Sequence, residues 1–189
     1  MNLIFQAASE IEQFCRTRGW RSCIIGGLAA IRWGEPRGTS DVDLALMTGF
    51  GDELTYVEEI LAHFRPRLAD AANFALQNRV LLIAASNGVP VDIGLAGIPY
   101  EERLIQRATP FEFASGVSLT TCSAEDLIVL KAFADRPSDW AAIEGVILRQ
   151  GARLDWQYVR AELAPLCELK ESMEIVERLE ELRRKLQAD

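Results

Sequence analysis

Two rhythms of apolar positions run along the first two thirds of the chain. Residues 2–17 place Ile4, Phe5, Ala8, Ile11 and Phe14 at helical spacing, and Gly19 ends that run. Residues 20–25 read as a short apolar strand, which Gly26 and Gly27 break before residues 28–33 resume as a helix. A polar, glycine-containing loop over 34–40 leads into a strand over 41–47, with Val42, Leu44 and Leu46 on one face and Asp41 and Asp43 on the other. Residues 52–64 return to helical spacing, with Leu54, Val57, Ile60, Leu61 and Phe64 directed inward. Residues 66–78 show no clean period. Residues 79–85 and 90–95 then predict two strands joined through Ser86-Asn87-Gly88, a hairpin signal. A short helix over 99–107 and a last short strand over 117–121 follow.

The pattern changes near Cys122. Ser123 followed three residues later by Asp126 is a capping signal, and from there to residue 189 the chain reads as wholly helical. Breaks fall at Arg136-Pro137-Ser138, at Gly151 and over 169–172. In the last helix Ile175, Val176, Leu179, Leu182 and Leu186 make a buried stripe. Glu174 with Arg178, Glu180 with Arg184 and Glu181 with Lys185 fall at i, i+4 on a solvated face. The expected organisation is an α/β core over 1–121 and a C-terminal helical subdomain over 122–189.

Composition narrows the function. With 189 residues, 49% of them apolar, the chain can bury a real core. A net charge of −8 argues against indiscriminate nucleic-acid binding, which needs phosphate neutralisation, but allows a local basic patch from Arg32 and Arg37. The four cysteines form no CxxC pair and His63 is the sole histidine, so a structural zinc site and histidine-dependent nucleophilic catalysis are not expected. Buried, reduced thiols in a cytoplasmic protein are expected instead. The first residues lack the pattern of a signal peptide, and no apolar run approaches the length of a membrane span.

The candidate chemistry lies in the acids. Residues at i and i+2 of a strand share a face, so Asp41 and Asp43 project side by side. Two carboxylates about 4 Å apart repel by roughly 4 kcal/mol at an effective dielectric near 20, and a divalent cation between them is the simplest compensation. Asp92 stands alone inside the apolar segment Val91-Asp92-Ile93, where an unpaired carboxylate is costly, and is the candidate third acid. Two or three carboxylates on rigid strands suit a two-metal site for phosphoryl or nucleotidyl transfer. Gly26 and Gly27, before a helix, allow close approach of a phosphate to backbone N–H groups. Ser40 and Thr39 offer hydroxyls, and Arg37 a partner for a triphosphate. A glycosidase pair does not fit, because acids on one face cannot flank a sugar from both sides.

Gly26-Gly27, then Arg37-Gly38-Thr39-Ser40-Asp41-Val42-Asp43, then Asp92 in a later strand, resembles the nucleotidyltransferase superfamily with the polymerase beta-like fold. The segment Glu125–Lys131 followed by Arg136–Trp140 resembles its small bacterial members, the toxins of toxin–antitoxin pairs and antibiotic-modifying enzymes. The resemblance implies an α+β fold, a mixed β-sheet flanked by helices, and Mg²⁺-dependent transfer of a nucleoside monophosphate from an NTP such as ATP. Asp41, Asp43 and Asp92 would bind two Mg²⁺ ions, with Asp92 as a candidate base. Gly26, Gly27 and Ser40 would contact phosphate, and Lys131 would reach the nucleotide from the helical part. Lys131 and Asp135 can equally form a simple ion pair on their helix. The family pattern carries a serine after the first glycine. Here that position is Gly27, so the hydroxyl must come from Ser40 or Thr39. The acceptor stays open among RNA, protein and a small molecule, with an antitoxin as a possible protein partner. The alternative is a non-catalytic nucleotide-sensing or partner-binding module on the same fold.

Overall fold

Asn2 accepts a hydrogen bond from the Ile4 N–H through its side chain and opens α1 (Leu3–Thr17). The helix lays Ala7, Ala8, Ile11 and Cys15 into the core. The computed structural model describes residues 2–34 and 38–187. Among them a seven-stranded sheet forms from β1 (Ser22–Ile24), β2 (Val42–Met47), β3 (Arg65–Pro66), β4 (Val80–Ala84), β5 (Pro90–Ala96), β6 (Thr109–Ala114) and β7 (Val117–Thr121). Its order is β3-β4-β5-β2-β1-β7-β6. Strands β2 and β5 run parallel, as do β1 and β7, and the remaining pairs are antiparallel, so the sheet is mixed as expected. Helices α2 (Gly26–Trp33), α3 (Glu53–Leu61), α4 (Ala71–Asn78) and α5 (Pro99–Arg107) connect the strands.

Period-2 burial is clear in the central strands. Val42, Leu44 and Leu46 are fully buried, as are Leu81, Ile83, Val91 and Ile93, while Asp43 and Asp92 face the half-exposed side. The hairpin between β4 and β5 turns on Gly88, whose φ of +84° suits glycine.

Several elements differ from the expectation. Strand β1 is shorter, and α2 begins at the two glycines, because their backbone makes its first turn. Asp41 precedes β2 by one residue. Leu54 sits in the first turn of α3 and stays exposed, so the inward stripe starts one turn later, at Val57. The segment without a clean period holds the two-residue β3 and the short α4. Strand β6 is an additional edge strand whose side chains are nearly all exposed, so it carries no apolar alternation to read.

The C-terminal part is helical: α6 (Ala124–Ala134), α7 (Pro137–Gln150), a 3₁₀ turn over Gly151–Arg153, α8 (Trp156–Leu169) and α9 (Glu174–Gln187). Ser123 caps α6 by accepting from the Asp126 N–H, and Asp155 caps α8 by accepting from the Tyr158 N–H. Leu127, Ile128, Ile143, Val146, Val159, Leu163, Ile175 and Leu179 fill the core between these helices. The fully buried Asp126 is satisfied by Ser123 Oγ at 2.6 Å and Tyr158 Oη at 2.7 Å. Arg178 lies over the Trp140 ring and pairs with Asp135.

The chain divides into two compact units, Met1–Leu28 with Gly38–Cys122, and Ala29–Arg37 with Ser123–Asp189. The sheet belongs to the first and helices α6 to α9 to the second. Among the described residues no helix is long and apolar enough to cross a membrane.

Candidate active site

The parallel pairing of β2 and β5 creates the site. Its register sets Asp43 opposite Asp92, so two acids project from adjacent strands on one face. Asp41, just before β2, completes the group. One carboxylate oxygen from each of Asp41, Asp43 and Asp92 lies within 4.8 Å of the others, and all three residues are half-buried.

The turn after β1 closes in on this cluster. The Ile25 N–H donates to the Asp43 carbonyl at 2.9 Å, which ties the strand end to β2. Gly26 then takes a φ of +58°, and a Cβ built on it would lie 1.9 Å from Asp43 Oδ2. Only glycine fits there. The Gly27 N–H, at the start of α2, faces Asp43 Oδ2 at 3.4 Å. A Cβ on Gly27 would lie 2.3 Å from Thr39 Oγ1. That hydroxyl donates to Asp41 Oδ1 at 3.1 Å and is 3.2 Å from the Asp41 carbonyl. The space beside Gly27 is therefore filled by a hydroxyl bound to an acid of the cluster.

On the other side, Arg67 pairs with Asp92 through Nη2 and Oδ1. Burial pushes the Asp92 carboxyl up, the Arg67 guanidinium pulls it down and the Asp41 charge pushes it up again; the balance leaves it above the ordinary carboxylate range. Three hard oxygen donors of one sign, two of them on strands fixed by register, fit a small divalent cation such as Mg²⁺. The upward shift of Asp92 comes first from its burial, with the neighbouring Asp41 charge adding to it.

A family model of nucleotidyl transferases of unknown function (DUF2204) matches residues 4–181. The chain belongs to this family. No curated protein matches it by sequence. The enzyme's fold is similar to that of an antigenic nucleotidyltransferase-like protein from Paracoccidioides brasiliensis, with a TM-score of 0.53 and 15% identity over 90% of each chain. It is similar also to the antibiotic-resistance factor ANT(2'')-Ia in complex with adenylyl-2''-tobramycin, with a TM-score of 0.52 and 17% identity over 88% of this chain and 98% of that one. The lincosamide antibiotic adenylyltransferase LnuA, lincomycin-bound, gives a TM-score of 0.50 and 10% identity over 75% of this chain and 94% of that one. At these identities the likeness is one of fold.

Within the nucleotidyltransferase, Asp41, Asp43, Asp92, Gly26 and Gly27 come together. Ser40 is exposed beside them, and Thr39 is the hydroxyl that turns into the cluster. Arg37 lies outside the described residues. Lys131 belongs to the helical unit, where its ammonium pairs with Asp139 at 2.8 Å, both groups buried. The ion pair set beside nucleotide contact as the alternative for Lys131 was with Asp135. That residue instead takes the left-handed cap of α6 and accepts from Trp140 Nε1 at 2.6 Å. Asp139, in the first turn of α7, also accepts from Arg136 at 2.6 Å. Burial pushes the Asp139 carboxyl up, but the hydrogen bonds from Arg136 and Lys131 outweigh this and hold it below the usual range. Sequence reasoning missed Arg67, because a two-residue edge strand gives no period from which to place it.

Proposed function

We propose that the enzyme transfers a nucleoside monophosphate from an NTP to a hydroxyl acceptor, with Mg²⁺ held by Asp41, Asp43 and Asp92. The observation that supports it is the meeting of three carboxylates from two chain segments against a turn that only glycine can make. When bound, Mg²⁺ supplies charge neutralisation on the phosphates and lowers the barrier to in-line displacement. The protein's own groups do the rest. N–H groups at the start of α2 bind phosphate oxygens. Thr39 holds the Asp41 carboxylate in orientation through its hydroxyl. Asp92 accepts the acceptor's hydroxyl proton. The acceptor oxygen then bonds to the α-phosphorus as the bond to the β-phosphate oxygen breaks, and pyrophosphate leaves toward the α2 side.

The adenylyl group on tobramycin in the ANT(2'')-Ia complex, and the adenylyltransferase activity named for LnuA, favour ATP as donor. A toxin role with an antitoxin partner is tested by gene neighbourhood and by growth arrest on expression. The decisive experiment incubates the protein with each labelled NTP, Mg²⁺ and cell extract, and asks whether RNA, protein or small molecules carry the label. Asp41→Asn and Asp43→Asn are expected to reduce labelling and pyrophosphate release by about a thousandfold or more while folding normally. Full activity in both variants rejects the reading. Tight NTP binding without pyrophosphate release for any acceptor points to a nucleotide sensor instead.

A further inference from the structure

The acid cluster has two unlike flanks. Toward β1 it meets the start of α2, where the Gly27 N–H faces Asp43. Toward the sheet edge it meets a cation. The Arg67 N–H donates to the Leu82 carbonyl at 3.0 Å, Leu82 pairs with Asp92, and Asp92 pairs with Asp43. Leu82, Asp92 and Asp43 thus form one row across β4, β5 and β2, which Arg67, directly after β3, extends, and residues of such a row project from the same face. The Arg67 guanidinium spans the half-buried Leu82 to reach Asp92, and the two paired side chains keep 30% and 33% exposure. Arg65, two residues earlier on the same edge, is exposed. This flank therefore carries two arginines, Arg65 exposed and Arg67 paired with Asp92 beside the half-buried Leu82.

In-line transfer assigns the flanks. If the triphosphate lies on the amide side, the acceptor hydroxyl approaches from the opposite one, over β4 and β5, where Arg67 stands. With a divalent cation on the acids, Asp92 no longer needs Arg67 for neutralisation. The guanidinium, still fixed in its row, then faces the incoming acceptor as excess positive charge. Its planar fork suits a phosphate, and its charge repels a polycation. We propose that Arg67 selects an acceptor that carries a phosphate group beside its reactive hydroxyl. This rests on the nucleotidyl-transfer reading and runs against a cationic antibiotic as substrate. The phosphate chemistry has two sources, the 3′ end of an oligoribonucleotide and a phosphorylated small molecule.

The test measures acceptor-side binding by calorimetry, on protein loaded with Mn²⁺ and a non-hydrolysable ATP analogue. The probes are a short oligoribonucleotide with a free 3′ hydroxyl, glycerol 3-phosphate, glycerol and tobramycin. At least one phosphate-bearing probe is expected to bind about tenfold or more tighter than glycerol and tobramycin. Arg67→Gln should weaken that binding about tenfold, Arg67→Lys should restore part of it, and neither should lower affinity for Mn²⁺ or the ATP analogue. The tighter of the two phosphate probes identifies the source. In turnover the Arg67→Gln loss should fall on acceptor KM more than on kcat. A mere counter-ion role would alter Mn²⁺ affinity and leave probe binding unchanged. The proposal is overturned by that result, by preference for tobramycin, or by no phosphate binding in the wild type. Transfer to a cationic acceptor, indifferent to Arg67, would sink this selection rule while leaving nucleotidyl transfer intact. Arg67-dependent phosphate binding with no transfer to any acceptor would do the reverse.

Discussion

A single methyl group on Gly26 would collide with Asp43 Oδ2 and would also have to sit at a positive φ. Gly26→Ala is therefore expected to displace the Asp43 carboxylate and abolish transfer, with loss of Mn²⁺ binding by calorimetry as the direct readout. Gly27 and Thr39 form a second contact of this kind, since Thr39 Oγ1 fills the place a residue-27 side chain would enter. Thr39→Val removes the hydroxyl from Asp41 and should lower kcat about 10- to 100-fold, the usual cost of losing a partner that orients a metal ligand, whereas Thr39→Ser should retain activity. Gly27→Ser combined with Thr39→Gly should recover part of the loss by supplying the hydroxyl from the other wall. If Thr39→Val is as active as wild type, the orienting role is wrong.

Register is what turns scattered residues into a site. The parallel pairing of β2 and β5 was not written in either strand, yet an acid stranded in each apolar segment indicated that the two needed a shared compensation. That made Asp41, Asp43 and Asp92 legible together. Strand β6 was illegible because an exposed edge strand needs no apolar face. Arg67 and β3 were illegible because two residues carry no period. Lys131 was ambiguous, since a lysine on a helix face looks alike whether it meets a nucleotide or a buried acid. In the helical unit it meets Asp139, and removing one partner of a buried pair typically costs about 3–5 kcal/mol. Lys131→Ala should lower stability on that scale in urea unfolding; unchanged stability with a raised NTP KM would return Lys131 to nucleotide binding. The pH response has a fixed sign. The folded Asp139 carboxyl sits below its unfolded value of about 3.9, so its contribution is full above that pH and fades as pH falls through the lower folded value. Asp139→Asn should flatten the acid limb of the stability curve between about pH 4 and lower pH, measured by thermal melts.

At the scale of the whole molecule, a net charge of −8 adds to the repulsion concentrated in the acid cluster. A cation that binds only the folded state should stabilise it by about 2.7 kcal/mol at a hundred times its Kd. Mg²⁺ is thus expected to raise the melting temperature of the wild type and leave that of Asp43→Asn nearly unchanged. Equal shifts in both proteins would mean that the ion acts elsewhere.

All four cysteines are buried and none forms a disulfide, and burial pushes the Cys15 thiol up to about 11. Such groups resist alkylation until the surrounding structure opens. Cys15, Cys23 and Cys122 belong to the sheet unit and Cys167 to the helical one. The chain therefore carries its own unfolding reporters: pulse alkylation in rising denaturant, followed by peptide mass spectrometry, would time the opening of each half separately and without any introduced label.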